Sequence, residues 1–141
     1  WCSPSNPTLR DLHEYILVFS KGDWRMGHRG ETDLIPEEFV TYTKSVWEFP
    51  TVSARKVGHP APFPLELPSR LIKLYTYKGD LVLDQFNGSG TTCQAAALLG
   101  RRWIGVDLDP GYCQLAERNM CALTETAGDH GAGRASNVAG A

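Results

Sequence analysis

Two carboxylates and the glycine-rich turn between them hold most of the chemistry this chain could do. Asp84 closes a short apolar run, Leu81-Val82-Leu83, and opens the stretch Asp84-Gln85-Phe86-Asn87-Gly88-Ser89-Gly90-Thr91-Thr92. Asp107 closes a second run, Trp103-Ile104-Gly105-Val106. It follows the first glycine by roughly 20 residues, the offset of an acid that grips a ribose diol. The pattern of strand, glycine turn, helix, strand and acid makes half of a nucleoside-cofactor site, because glycines let backbone N–H groups approach a ligand at a helix start. Both acids then stand at the carboxyl ends of strands, the edge where an open α/β sheet binds ligands. This reading requires that they share one edge, with the turn between them open.

Three cofactors compete for such a turn. A phosphate-binding loop needs a lysine after its last glycine, and Thr91 stands there. A dinucleotide fold wants a third glycine at the position of Cys93, which weakens that reading without removing it. S-adenosyl-L-methionine has no phosphates: its methionine end is a zwitterion, its ribose offers two hydroxyls, and its adenine wants an apolar slot. Asp84 would take the ammonium, Asp107 the ribose hydroxyls, and Gly88 and Gly90 would let the backbone come close. Ser89 and Thr91 would satisfy orphan N–H groups at the helix start while lining the site.

These residues must be held by regular elements. Glu14 to Ser20 is dense in β-branched and aromatic residues and predicts a buried strand, stopped by Lys21-Gly22. A loop is expected from Asp23 to Asp33, then a short helix from Pro36 to Thr43 capped by Asp33, and a short strand over Ser45–Phe49. Three prolines in His59-Pro60-Ala61-Pro62-Phe63-Pro64 exclude a regular element. Leu67, Leu71, Leu74 and Tyr75 form one stripe of an amphipathic helix that tolerates Pro68 in its first turn. Gly100 is placed to end the Thr91–Leu99 helix, and Asp109-Pro110 to cap and start the next. Two strands separated by one helix imply a parallel pair. The fold class is therefore α/β. Beyond Thr124 periodicity ends, and a disordered tail is expected over 124–141.

The chain has 141 residues, 42% hydrophobic and 21% charged, enough for one domain with a modest core. A net charge of -2 makes no electrostatic case for nucleic-acid binding by this chain alone. Four cysteines without a CxxC pair, and histidines without paired spacing, predict reduced thiols, a cytoplasmic setting and no metal. No apolar run approaches the ~20 residues of a membrane span. The chain opens on Trp1-Cys2 without an initiator methionine, and so reads as part of a longer product.

Taken together, the segments resemble the amino-directed DNA methyltransferases, which modify adenine N6 or cytosine N4. Asp84 to Thr92 looks like that family's Asp-Pro-Phe-x-Gly-Ser-Gly-Thr signature, with Gln85 in place of proline. Arg101 to Tyr112 is similar to the following strand and acidic turn, and His59 to Leu74 to the cofactor-flanking motif. Arg10 to Leu17 is similar to the segment that precedes target recognition. The order of segments is that of the permuted β group, and the resemblance covers residues 7 to 122. It implies an open, mostly parallel Rossmann-like sheet, incomplete in this chain. It also implies a cofactor site of Pro62, Phe63, Pro64, Asp84, Phe86, Gly88, Ser89, Gly90, Thr91 and Asp107 that holds S-adenosyl-L-methionine.

The family's catalytic tetrapeptide, Asp/Asn/Ser-Pro-Pro-Tyr/Phe, accepts hydrogen bonds from the amino group of a flipped base. It has no counterpart here. Asp109-Pro110-Gly111-Tyr112 imitates it, but has the grammar of a helix start. The simplest inference is the C-terminal part of a longer enzyme that acts on double-stranded DNA and is inactive without its N-terminal part. The alternative is a non-catalytic or split module whose partner chain supplies the motif. On this reading residues 1–20 end the catalytic subdomain, 21–58 form a short target-recognition region or loop, and 59–123 bind the cofactor. Arg25, Arg29, Arg55 and Lys56, with His28, Trp24 and Trp47, are the candidate DNA contacts, set among acidic residues of the same segment that include Glu31, Asp33, Glu37, Glu38 and Glu48. An incomplete sheet should also expose an unpaired, apolar edge and self-associate.

Overall fold

The computed structural model describes residues 12–50 and 63–127. Helix α1 spans Pro36–Tyr42, α2 Glu66–Tyr75, strand β1 Leu81–Asp84, α3 Thr91–Leu98, β2 Arg102–Gly105 and α4 Pro110–Ala127. The two strands are parallel, with Leu81 beside Arg102, Val82 beside Trp103, Leu83 beside Ile104 and Asp84 beside Gly105. The α/β class and the parallel pair expected from the spacing are thus observed.

Helix α3 is the centre of the packing. Its Ala95 and Ala96 are fully buried, and Ile72 of α2 completes a small core against which Val82 and Leu99 pack. Alanines on that face let the sheet and α2 come close. The helix ends as Gly100 predicts: the glycine takes φ 70°, its N–H bonds the Ala97 carbonyl, and Arg101 N–H bonds that of Ala96. That pair of bonds is a Schellman closure. α4 starts as predicted too, with Pro110 in its first position and the Asp109 carboxylate accepting from Gly111 N–H at 2.7 Å. It runs on to Ala127, past the point where the sequence loses its periodicity.

Four expectations are corrected. Residues 14–20 form no strand, and Tyr15, Leu17 and Phe19 are exposed, because no neighbouring strand within the described residues offers a ladder. Ser45–Phe49 is not a strand either; Trp47 and Phe49, with Tyr42, surround the Arg70 guanidinium at 4.7–5.4 Å from the ring centroids. Asp33 does not cap α1. Ile35 occupies the cap position, its N–H reaching the Glu38 carboxylate at 3.3 Å, while Asp33 is drawn away to Arg101. On α2 the buried residues are Pro68 and Ile72, with Tyr75 exposed, so the inward stripe is rotated from the one expected.

Arg101 holds the long loop to the core. Its guanidinium is fully buried and pairs with both Asp33 oxygens at 2.7 Å, 68 residues away in sequence. It also donates to the Leu99 carbonyl, the Thr76 carbonyl and Thr76 Oγ1. Each donor of the planar fork is thus used, which compensates its desolvation. The Arg101 contact holds the Asp33 carboxyl below its usual range.

Candidate cofactor-binding site

Because Asp84 lies beside Gly105, the chain after β2 reaches Asp107 at the same end of the sheet. The backbone closes that end: Val106 N–H bonds the Asp84 carbonyl at 2.8 Å, and Asn87 N–H bonds the Val106 carbonyl at 2.9 Å. Asp107 then reaches across to the turn, Oδ2 accepting from Gly88 N–H at 2.8 Å and Oδ1 from Asp109 N–H at 3.0 Å. Asp84 folds back on its own turn, accepting from Phe86 N–H at 3.0 Å. Two carboxylates therefore face one strand end across a glycine turn. Phe86 (80% exposed) and Leu108 (98% exposed) stand beside them as unburied apolar side chains.

The turn itself is not open as expected. Gly88, Ser89 and Gly90 are buried. Gly90 has φ 84° and lies so close to α4 that an added Cβ would meet the Ala116 Cβ at 3.0 Å. Its freedom thus serves a close approach of helix α4. Asn87 fills the other side: a Cβ on Gly105 would lie 2.5 Å from its Cγ, and its Oδ1 accepts from the Cys93 thiol at 3.1 Å. Burial, and then the nearby Asp84 charge, push that thiol up to about 12. Cys93 is therefore a packed neutral side chain and not a nucleophile. Ser89 and Thr91 hydroxyls are 3.3 Å apart at the start of α3.

The two acids at one strand end suit an ammonium and a ribose diol, with exposed apolar neighbours for a base, whereas the buried turn does not offer the open backbone that the sequence reading required. The DNA methylase family model matches residues 1–118. The chain belongs to the N6/N4 DNA methylase family. A Type II methyltransferase of Bacillus subtilis, M.BglI, is 39% identical over 123 residues, covering 85% of this chain and 34% of the relative. M.MthZI of Methanothermobacter thermautotrophicus is 37% identical, covering 83% and 37%. The chain thus spans about a third of the length of these curated relatives. A putative DNA modification methylase from Thermus thermophilus, solved in complex with S-adenosyl-L-methionine, is 38% identical with a TM-score of 0.56 over 69% of this chain and 40% of that one. The fold is accordingly part of the Rossmann-like α/β methyltransferase fold.

Within this methylase chain, the predicted residues fall into separate groups. Asp84, Phe86, Gly88, Ser89, Gly90, Thr91 and Asp107 share the strand end described above. Phe63 and Pro64 lead into α2, whereas Pro62, Arg55 and Lys56 lie outside the described residues. The loop bearing Arg25 and Arg29 is tied to the opposite end of the sheet. There His28 bonds Asp80 at 2.9 Å and packs edge-on against Tyr77, Glu31 pairs with Lys78, and Gly30 lies so close to Tyr77 that an added Cβ would meet the Tyr77 Cβ at 2.6 Å. β1 separates the two ends by about 13 Å, from a rise of ~3.3 Å per residue. Of the aromatic candidates, Trp47 is taken up by Arg70 and by its own Nε1–H bond to the Tyr42 carbonyl at 3.1 Å, while Trp24 remains exposed. Sequence reading missed Asn87, Ala116 and Asn119 as the groups that shape the turn; isolated amides on a loop and a helix bear no periodic signal. Among the described residues no cluster of three or more His, Cys, Asp or Glu is placed to hold a metal ion, and no helix is long and apolar enough to cross a membrane.

Proposed function

We propose that this chain is the cofactor-binding portion of a DNA methyltransferase that moves a methyl group from S-adenosyl-L-methionine to the exocyclic amino group of adenine or cytosine. The observation that carries the reading is the meeting of Asp84 and Asp107 at one strand end, where Asp107 accepts from Gly88 N–H and Asp84 from Phe86 N–H of the same turn. Asp107 would accept from the ribose hydroxyls, and Asp84 would face the ammonium. Phe86, Phe63 and the neighbouring prolines would wall the ligand. When bound, the cofactor supplies a methyl group on a positively charged sulfur. The residues of this chain orient it and leave base recognition to a tetrapeptide that the chain lacks.

The chain by itself is therefore expected to bind the cofactor without transferring its methyl group. Double-stranded DNA would be met through the complete enzyme, with exposed Arg25 and Arg29, and Arg55 and Lys56, contributing phosphate contacts. Isothermal titration with S-adenosylhomocysteine and, separately, with NAD tests the cofactor. Saturable binding of the first alone is expected, and tight binding of NAD instead would overturn the proposal. Incorporation of labelled methyl into DNA by this chain alone would overturn its catalytic dependence on the missing motif.

A further inference from the structure

The glycine turn is held from α4 as firmly as from the strands. Asn119 Nδ2 donates to the Ser89 carbonyl at 2.9 Å, across 30 residues of sequence, and Gln94 Nε2 lies 3.5 Å from the same oxygen. Ala116, three residues earlier on the same helix face, presses on Gly90. Ser89 sits between two residues of positive φ, Gly88 at 50° and Gly90 at 84°, so its flanking peptides have unusual rotational freedom unless something fixes them. The Ser89–Gly90 peptide is planar, and it is pinned at both ends: its oxygen by Asn119, its N–H by the Asn87 carbonyl at 2.8 Å. α4 is meanwhile tied to the acid, since Asp109, its cap, donates to Asp107. One helix thus grips the ribose acid at its start and the glycine turn two to three turns later.

We infer that Asn119 is a positioning residue for the cofactor site. Its amide orients the Ser89–Gly90 peptide, which aims the Gly88 N–H at Asp107 and keeps that carboxylate facing the ligand. This rests on the cofactor reading above. The test uses the full chain with Asn119→Ala, which removes the donor, and Asn119→Asp, which keeps the shape and replaces the donor with an acceptor. Three readouts separate local aim from global fold: S-adenosylhomocysteine affinity by titration, amide hydrogen exchange, and thermal unfolding.

Affinity is expected to fall about three- to tenfold, the effect of losing a hydrogen bond of ~1 kcal/mol. Exchange at Gly88 and Gly90 should quicken, while Ala95 and Ala96 in α3 stay protected. Affinity within twofold of the parent and unchanged exchange at Gly88 and Gly90 would overturn the inference. So would loss of Ala95 and Ala96 protection in both variants, which assigns the residue to the fold in general. A parent chain that binds no S-adenosylhomocysteine would overturn the cofactor reading instead, and exchange at Gly88 and Gly90 would still decide the role of Asn119.

Discussion

Replacing Asp107 by alanine should damage the fold and the site by separable amounts. The carboxylate accepts two backbone N–H groups, from Gly88 at 2.8 Å and from Asp109 at 3.0 Å. Gly88 is buried, so its orphaned N–H cannot recover a water partner freely, and a bond to a charged acceptor contributes ~1.5–3 kcal/mol. Asp109 is exposed and water replaces its lost partner, which limits that part to ~0.5 kcal/mol. The expected loss is ~2–3.5 kcal/mol, a fall in Tm on the order of 10 °C for a domain of this size. Cofactor binding should weaken by a further ~1–3 kcal/mol if the same oxygens serve the ribose. Asp107→Asn keeps one acceptor oxygen and should lie between alanine and the parent in Tm. Circular dichroism melting and calorimetric titration with S-adenosylhomocysteine measure the two effects independently. A folded Asp107→Ala protein that melts within about 2 °C of the parent, well inside the shift expected for ~2 kcal/mol, would refute the bracing role. Unchanged affinity would refute the ribose role.

Asp33→Asn should destabilise the chain by about 3 kcal/mol in a urea titration at neutral pH, since it leaves the buried Arg101 cation without its counter-charge. The Arg101 contact lowers the folded pKa of Asp33 below its unfolded value, so the stabilisation is complete above the unfolded pKa and is lost as pH falls through the folded one. The variant should therefore show a shallower loss of stability in acid, and an identical acid limb would contradict this. Gly105→Ala forces a Cβ to 2.5 Å from Asn87 Cγ and should cost ~1–3 kcal/mol, part of which Asn87→Ala restores in the double variant; strict additivity would refute the contact. Of the three cysteines within the described residues, exposed Cys121 should react with a thiol reagent first and Cys93 only on unfolding, so rapid labelling of Cys93 in the native chain would contradict its burial and raised pKa. Leu81 (50% exposed) and Leu83 (58% exposed) lie on the sheet face away from Val82, with Ile104 alongside, so size-exclusion chromatography should show self-association that weakens on dilution; a monomer at every concentration would argue against a sticky sheet face.

The parts of this protein that the sequence determined by itself are those whose physics is local. Gly100 terminates α3 because a left-handed residue closes the last turn within a few positions, and Asp109-Pro110 starts α4 because a carboxylate and a fixed φ act on the next two or three residues. The pairing of acids with strand ends followed from the same short-range grammar, carried across a crossover whose handedness and direction are constrained.

Tertiary structure decided the rest, for reasons that no short window contains. Residues 14–20 have strand composition and no strand, because a ladder needs a second chain segment to supply its bonds. Asp33 could cap a helix three residues away or pair with a guanidinium 68 residues away, and the fully buried Arg101 fork outcompetes the exposed cap. Asn119 meets Ser89 only because α4 folds back over the turn. Polar contacts between distant segments leave no periodic trace in sequence, since one donor and one acceptor suffice for each, and only the packed backbone brings them within about 3 Å.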